Sequence, residues 1–179
     1  MTPVSGFSYR PRVPEFRLLD GKVALITGAA SGQGRAASVL FGEHGARIAV
    51  ADVNDDGARE TVDLVEQAGS KAVALHADVS RRADNDAMVA ATVDAFGGID
   101  VLYNNAAIQM SGRLVDCTEE QWDITMATNL NAIFWACRAA MPHLEEGNGG
   151  SIELVIFEMD VSPVDESSSH VPRCSLAAR

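Results

Sequence analysis

Lysine and tyrosine are the scarcest functional side chains of this 179-residue chain. It has two lysines, Lys22 and Lys71, and two tyrosines, Tyr9 and Tyr103. Positive charge is scarce in general: 14 Lys and Arg face 25 Asp and Glu, for a net charge of −11. Attraction to phosphates supplies most of the affinity for nucleic acid, so an acidic chain excludes that partner class. Cysteine is sparse and odd in number. Cys117, Cys137 and Cys174 show neither a disulfide framework nor paired metal-ligand spacing, which suggests a reducing compartment. No apolar run is long enough to span a bilayer, and Arg10, Arg12, Glu15 and Arg17 interrupt any leader-like core near the N-terminus. No membrane partner is expected, and the cytoplasm is the expected location. The chain as a whole is 47% hydrophobic, enough for the core of one domain.

The most informative stretch is Thr27-Gly28-Ala29-Ala30-Ser31-Gly32-Gln33-Gly34. It follows the apolar run Val23-Ala24-Leu25-Ile26, and Asp52 closes the next apolar run, Arg47 to Ala51. This reads as a strand, a glycine-rich turn, a helix start and a second strand ending in an acid. A pyrophosphate must approach such a turn closely, and a β-carbon would block it. Unpaired N–H groups and the positive end of the helix dipole favour the anion. Asp52 can accept hydrogen bonds from ribose hydroxyls and would repel a 2′-phosphate, which argues for NAD over NADP.

Along the chain, apolar runs alternate with helical patterns. Strands are expected at 22–27, 46–51, 71–77, 99–104 and 151–157, and helices at 32–44, 55–68, 81–96 and 119–146. Asn54, ahead of Asp55 and Asp56, should cap the second helix. Ser80 is a candidate cap for the third, and Thr118 with Gln121 forms a capping box for the fourth. Such alternation implies an α/β doubly wound parallel sheet, Rossmann-like and incomplete, of about five strands. Residues 1–20 read as a flexible arm, 21–157 as a dinucleotide-binding domain and 158–179 as an irregular tail. Trp122, Phe134 and Trp135 read as core or interface residues, and the four histidines show no ligand spacing.

With these elements placed, residues 21–151 resemble the short-chain dehydrogenase/reductase family. Thr27 to Gly34 fits that family's T-G-x-x-x-G-x-G. Asp78-Val79 ends the third strand, where family members hold the adenine ring. Asn104-Asn105-Ala106-Ala107 matches N-N-A-G except at its last residue, and Asn129 matches the helix asparagine of the catalytic tetrad. The expected cofactor-binding residues are therefore Gly28, Ser31, Gly32, Gln33, Gly34, Asp52, Asp78, Val79, Asn105 and Ala106. Asn129 is the one catalytic candidate. The resemblance implies hydride transfer between NAD(H) and an alcohol or ketone, with Asn129 holding a water in a proton relay.

The family's proton donor is a tyrosine followed four residues later by a lysine, which favours the phenolate from one helical turn away. Here Val13 and Ala107 lie four residues after the two tyrosines. The family's serine after the fifth strand is also missing, because the run from Ser151 ends at Ile156-Phe157-Glu158. The sequence thus reads as a C-terminally truncated or frame-altered member, changed after about residue 152 and inactive as written. The alternative is a non-catalytic NAD-binding or subunit-pairing module. Helix 119–146, apolar on more than one face, is then where a homo- or hetero-oligomer would form.

Overall fold

The computed structural model describes residues 17–109, 114–147 and 149–155. Within them the chain forms β1 (Val23–Thr27), α1 (Gly32–Glu43), β2 (Arg47–Asp52), α2 (Asp55–Gln67), β3 (Ala72–His76) and α3 (Arg82–Phe96). It continues with β4 (Val101–Asn104), a single 3₁₀ turn (Leu114–Asp116), α4 (Glu119–Met126), a π-helical turn (Ala127–Asn131), α5 (Ala132–Glu146) and β5 (Ser151–Leu154). All strand pairs are parallel, in the order β3-β2-β1-β4-β5. The doubly wound sheet expected from the alternation is the one observed.

The central strands are apolar without alternation because both faces are covered. Every residue of β1 is buried. Ala24 and Ile26 join Ile48, Val50, Ala58, Val65 and Val101 on one face of the sheet. Leu25 joins Ala49, Ala51, Met88, Leu102, Ala136 and Ala140 on the other. The first cluster draws on α2, the second on α3 and α5. α5 meets the sheet through Ala132, Ala136, Ala140 and Leu144, a stripe repeating every four residues whose alanines bring the helix close.

Several local expectations hold and some are corrected. Asn54 caps α2 by accepting the Gly57 N–H at 3.1 Å. Thr118 and Gln121 form the reciprocal box at the start of α4. Ser80 does not cap α3. Arg81 holds that position without a side-chain capping bond, and the Ser80 hydroxyl is drawn back to Asp78 Oδ1 at 2.6 Å. The expected helix 119–146 is not continuous, since a π turn at Ala127–Asn131 carries a hydrogen bond from the Ala132 N–H to the Ala127 carbonyl. That turn swings Asn129 toward the loop after β4, a tertiary bond that no local pattern encodes. At the far edge, β5 pairs with β4 and with no other strand among the described residues. Ser151, Glu153 and Leu154 on it are exposed. Positions 156 and 157 of the expected strand, the expected tail and most of the expected arm lie outside the described residues.

Candidate functional site

The order of the sheet reverses at β1: the chain leaves it toward β2 and returns on its other side as β4. In open α/β sheets the crevice at the carboxyl ends of such strands is where ligands bind. Here that crevice is bounded by the glycine turn after β1 and by Asn105 and Ala106 after β4.

The turn is held closely at Gly28 and Gly34. Gly28 has φ +64°, and a β-carbon there would sit 2.8 Å from Ala106 Cα, so both conformation and space demand glycine. Gly34 lies in the first turn of α1, where a β-carbon would overlap the Gly28 carbonyl and come within 2.7 Å of Asn105 Nδ2. Gly32 differs: its φ is +54°, yet nothing lies within 4 Å of a β-carbon there. Gly34 therefore closes the turn against the protein, and Gly32 opens it outward.

Asn105 and Thr27 form the seam between the two strands. Asn105 Nδ2 donates to the Thr27 and Gly28 carbonyls at 3.0 and 3.1 Å. The Thr27 hydroxyl accepts the N–H groups of Asn105 and Ala106, each at 3.1 Å. Asn104, beside them, is buried, and its amide faces Cys137 Sγ at 4.0 Å. Burial raises the Cys137 thiol above its ordinary pKa, with the Asn104 hydrogen bond pulling weakly the other way.

Asp52 ends β2, as expected, and its carboxylate is fixed at both oxygens. Oδ2 accepts the Ala30 N–H and Oδ1 the Asn54 N–H, each at 2.9 Å. Each oxygen keeps a further lone pair for an external donor. Asp78 Oδ1 accepts the N–H and hydroxyl of Ser80, and Asp84 reaches back to the Asp78 N–H at 3.0 Å. Val79 is buried at 7% exposure beside them. Its carbonyl is held by the buried Asn85 amide at 2.7 Å.

The start of α1 carries no protein cap. Ser31 occupies the N-cap position without a side-chain hydrogen bond, and no acid lies in the first turn. By contrast α2, α3 and α4 all have acids in their first turns. Ser31, Gly32 and Gln33 thus present N–H groups that meet no acceptor among the described residues, at the positive end of an unneutralised helix dipole. Such an end suits a phosphate. The residues fit the pyrophosphate and ribose of a dinucleotide, with open space beside Gly32 and carboxylate lone pairs at Asp52.

Asn129 sits in the π turn, and its amide makes a two-point bond with the backbone of Ile108. Oδ1 accepts the Ile108 N–H and Nδ2 donates to its carbonyl, both at 2.9 Å. The side chain therefore fixes the loop after β4. Tyr103 packs edge-on against Phe41, Lys22 pairs with Asp100 at 2.8 Å, and Lys71 is exposed, so none of these joins Asn129. Among the described residues no group of three or more acids, histidines or cysteines is placed to hold a metal ion. No described helix is long and apolar enough to cross a membrane.

Two residues of this site gave no signal in the sequence. Thr61 Oγ1, from α2, lies 2.9 Å from the Ala29 carbonyl, and Arg35 bonds the Ala30 carbonyl. Thr61 stands 32 positions from its partner, beyond the reach of any periodicity or local motif.

A family profile described as short chain dehydrogenase matches residues 22–158. A 2,5-dichloro-2,5-cyclohexadiene-1,4-diol dehydrogenase of Sphingobium indicum is 40% identical over 152 residues, covering 85% of this chain and 61% of the relative. A sorbitol dehydrogenase of Cereibacter sphaeroides is 40% identical over 135 residues, covering 75% and 52%. The crystal structure of a hydroxysteroid dehydrogenase from Escherichia coli superposes with a TM-score of 0.73 at 30% identity, covering 76% of this chain and 57% of that one. The chain spans about half the length of the curated relatives it matches.

Proposed function

Because the chain belongs to the short-chain dehydrogenase family, we propose that it is the dinucleotide-binding part of an oxidoreductase and that its cofactor is NAD. The observation that carries this reading is the fixed carboxylate of Asp52 beside an uncapped α1. Gly28, Ser31, Gly32, Gln33 and Gly34 would take the pyrophosphate. Asp52 would take the adenosine ribose and exclude a 2′-phosphate, whose charge it opposes. Asp78 and Val79 would border the adenine, and Asn105 and Ala106 would carry the cofactor across the seam toward β4. Bound NAD would supply hydride transfer to or from an alcohol or ketone in a protein that also holds the proton donor.

The donor set does not occur in this sequence, so the chain as written binds cofactor without turning over substrate. Asn129 positions the loop after β4, and its amide cannot itself serve as a general acid. Titration with NAD and NADP by calorimetry tests the reading. NAD is expected to bind more tightly than NADP, and the absence of NAD binding at millimolar concentration would sink the proposal. Carbonyl reduction above background that depends on Asn129 would overturn the inactivity.

A second reading, a pairing module, draws on the outer face of α4 and α5. Leu130, Phe134 and Met141 repeat at helical spacing along it, with Trp122 and Ile124 exposed on α4, all between 42% and 57% exposed and without cover among the described residues. A second copy of this chain, or a longer relative, would bury it. The two readings are compatible, since none of these residues is among those assigned to the cofactor.

A further inference from the structure

Three consecutive carbonyls of the glycine turn are each held by a side chain from a different element. Asn105, after β4, holds the Gly28 carbonyl at 3.1 Å. Thr61 Oγ1, from α2, lies 2.9 Å from the Ala29 carbonyl and 3.0 Å from the Gly57 carbonyl of its own helix, so its one proton is shared between them. Arg35, from α1, bonds the Ala30 carbonyl. The last two are themselves coupled, since Arg35 Nε donates to Thr61 Oγ1 at 3.0 Å. Thr61 is fully buried, so its end of this chain of bonds lies in a low-dielectric setting, while the guanidinium end is partly exposed. The same guanidinium reaches the Gly57 carbonyl at 3.2 Å and Glu60 Oε2 at 2.9 Å, which ties it to the first turns of α2.

The consequence follows from peptide geometry. A trans peptide is planar, with its carbonyl and the next N–H pointing in opposite directions. Holding the Ala29 carbonyl toward Thr61 sends the Ala30 N–H to Asp52, as observed at 2.9 Å. Holding the Ala30 carbonyl toward Arg35 turns the Ser31 N–H away from α2. That N–H meets no acceptor among the described residues and adjoins Gly32, where the space is open. A carbonyl rotated to that side would present negative charge to an incoming anion.

We propose that Thr61 and Arg35 are positioning residues that set the polarity of the turn, keeping its carbonyls inward and its N–H groups outward for a pyrophosphate. The inference rests on the NAD-binding reading above and concerns residues that touch the turn rather than the ligand.

The test uses the full chain, with NAD and ADP measured by calorimetry and adenosine by ligand-observed NMR. Thr61→Val removes the hydroxyl while keeping the shape, and is expected to weaken NAD and ADP about tenfold while leaving adenosine within about twofold. Thr61→Ser returns the hydroxyl and should restore both. Arg35→Lys should reproduce the valine pattern, because one ammonium cannot hold Thr61 and the Ala30 carbonyl in the planar fork's geometry. The lysine variant decides the matter if the valine variant does not fold. Equal losses for all three ligands, failure of serine to rescue, or unchanged NAD affinity would overturn the proposal. A wild-type chain that binds no NAD removes the cofactor reading itself, whereas wild-type binding with unaltered variants removes the brace alone.

Discussion

Asn129 and Ile108 are joined as two peptide groups would be, N–H to oxygen and oxygen to N–H, each at 2.9 Å. The bond spans 21 positions and anchors the loop after β4 to the π turn. Asn129→Ala leaves both backbone groups of Ile108 without that partner, so a loss of about 1–3 kcal/mol is expected. Urea denaturation monitored by circular dichroism measures it. A variant as stable as the parent would show that the loop does not depend on this bond.

The glycines of the turn should respond differently to alanine. Gly34→Ala places a methyl group against the Gly28 carbonyl and Ala29 Cα, which are backbone and cannot step aside. A cost of about 3 kcal/mol, the upper range for overpacking, is expected in thermal or urea unfolding. Gly32→Ala meets no atom, and its cost is the left-handed backbone, about 1–2 kcal/mol. Its larger effect should be on cofactor affinity, read by calorimetry, because the methyl group would project where Gly32 now leaves open space.

Asp52→Asn keeps one oxygen acceptor and turns an amide donor toward either the Ala30 or the Asn54 N–H. The loss of charge should also end the discrimination against a 2′-phosphate. We expect NAD to weaken about tenfold while NADP stays level or tightens, so that their ratio collapses. An unchanged ratio in paired titrations would remove Asp52 from the specificity argument.

Thiol chemistry offers a pH-dependent check on the packing of α5. Cys117 is exposed, whereas Cys137 is half-buried with its pKa raised by burial. The thiolate is the reactive form, so at mildly alkaline pH Cys137 should alkylate more slowly than Cys117, and the gap should narrow as pH rises through the raised pKa. The sign for stability is the same: the contribution of the buried thiol is complete below its ordinary pKa and is lost as pH rises from there through the raised one. Peptide mass spectrometry after timed alkylation separates the two sites.

Phe134 is the most exposed of the apolar residues on the α4–α5 face, at 57%. If that face pairs with a second copy, Phe134→Glu should convert a dimer to a monomer in light scattering, since an unpaired buried charge opposes association. A parent chain already monomeric at high concentration would end the pairing reading.

The strands and glycine turn were legible because each is local: an apolar run, a glycine needing positive φ, an acid at a strand end. The capping of α2 and α4 was legible for the same reason, since Asn54 and Thr118 act within three residues. Ser80 failed as a cap because Asp78, two positions earlier, competes for its hydroxyl. The break in helix 119–146 was hidden because the bonds that accompany it, from Asn129 to Ile108, reach outside the helix. Thr61 and Arg35 were invisible for a related reason, as their partners come together only after α1 and α2 have packed. The bonds of the candidate site that join distant segments are therefore the ones the sequence conceals.

The seam through Asn105 has a consequence for the order of assembly. β1 meets β2 after a single intervening helix, but the bonds from Asn105 to Thr27 close a loop of 78 positions. Loop-closure entropy delays such contacts, so the β1–α1–β2 unit is expected to organise before β4 docks against it. The crevice is then the last boundary to close during folding, and a ligand bridging it would act as a clasp between an early and a late half of the molecule.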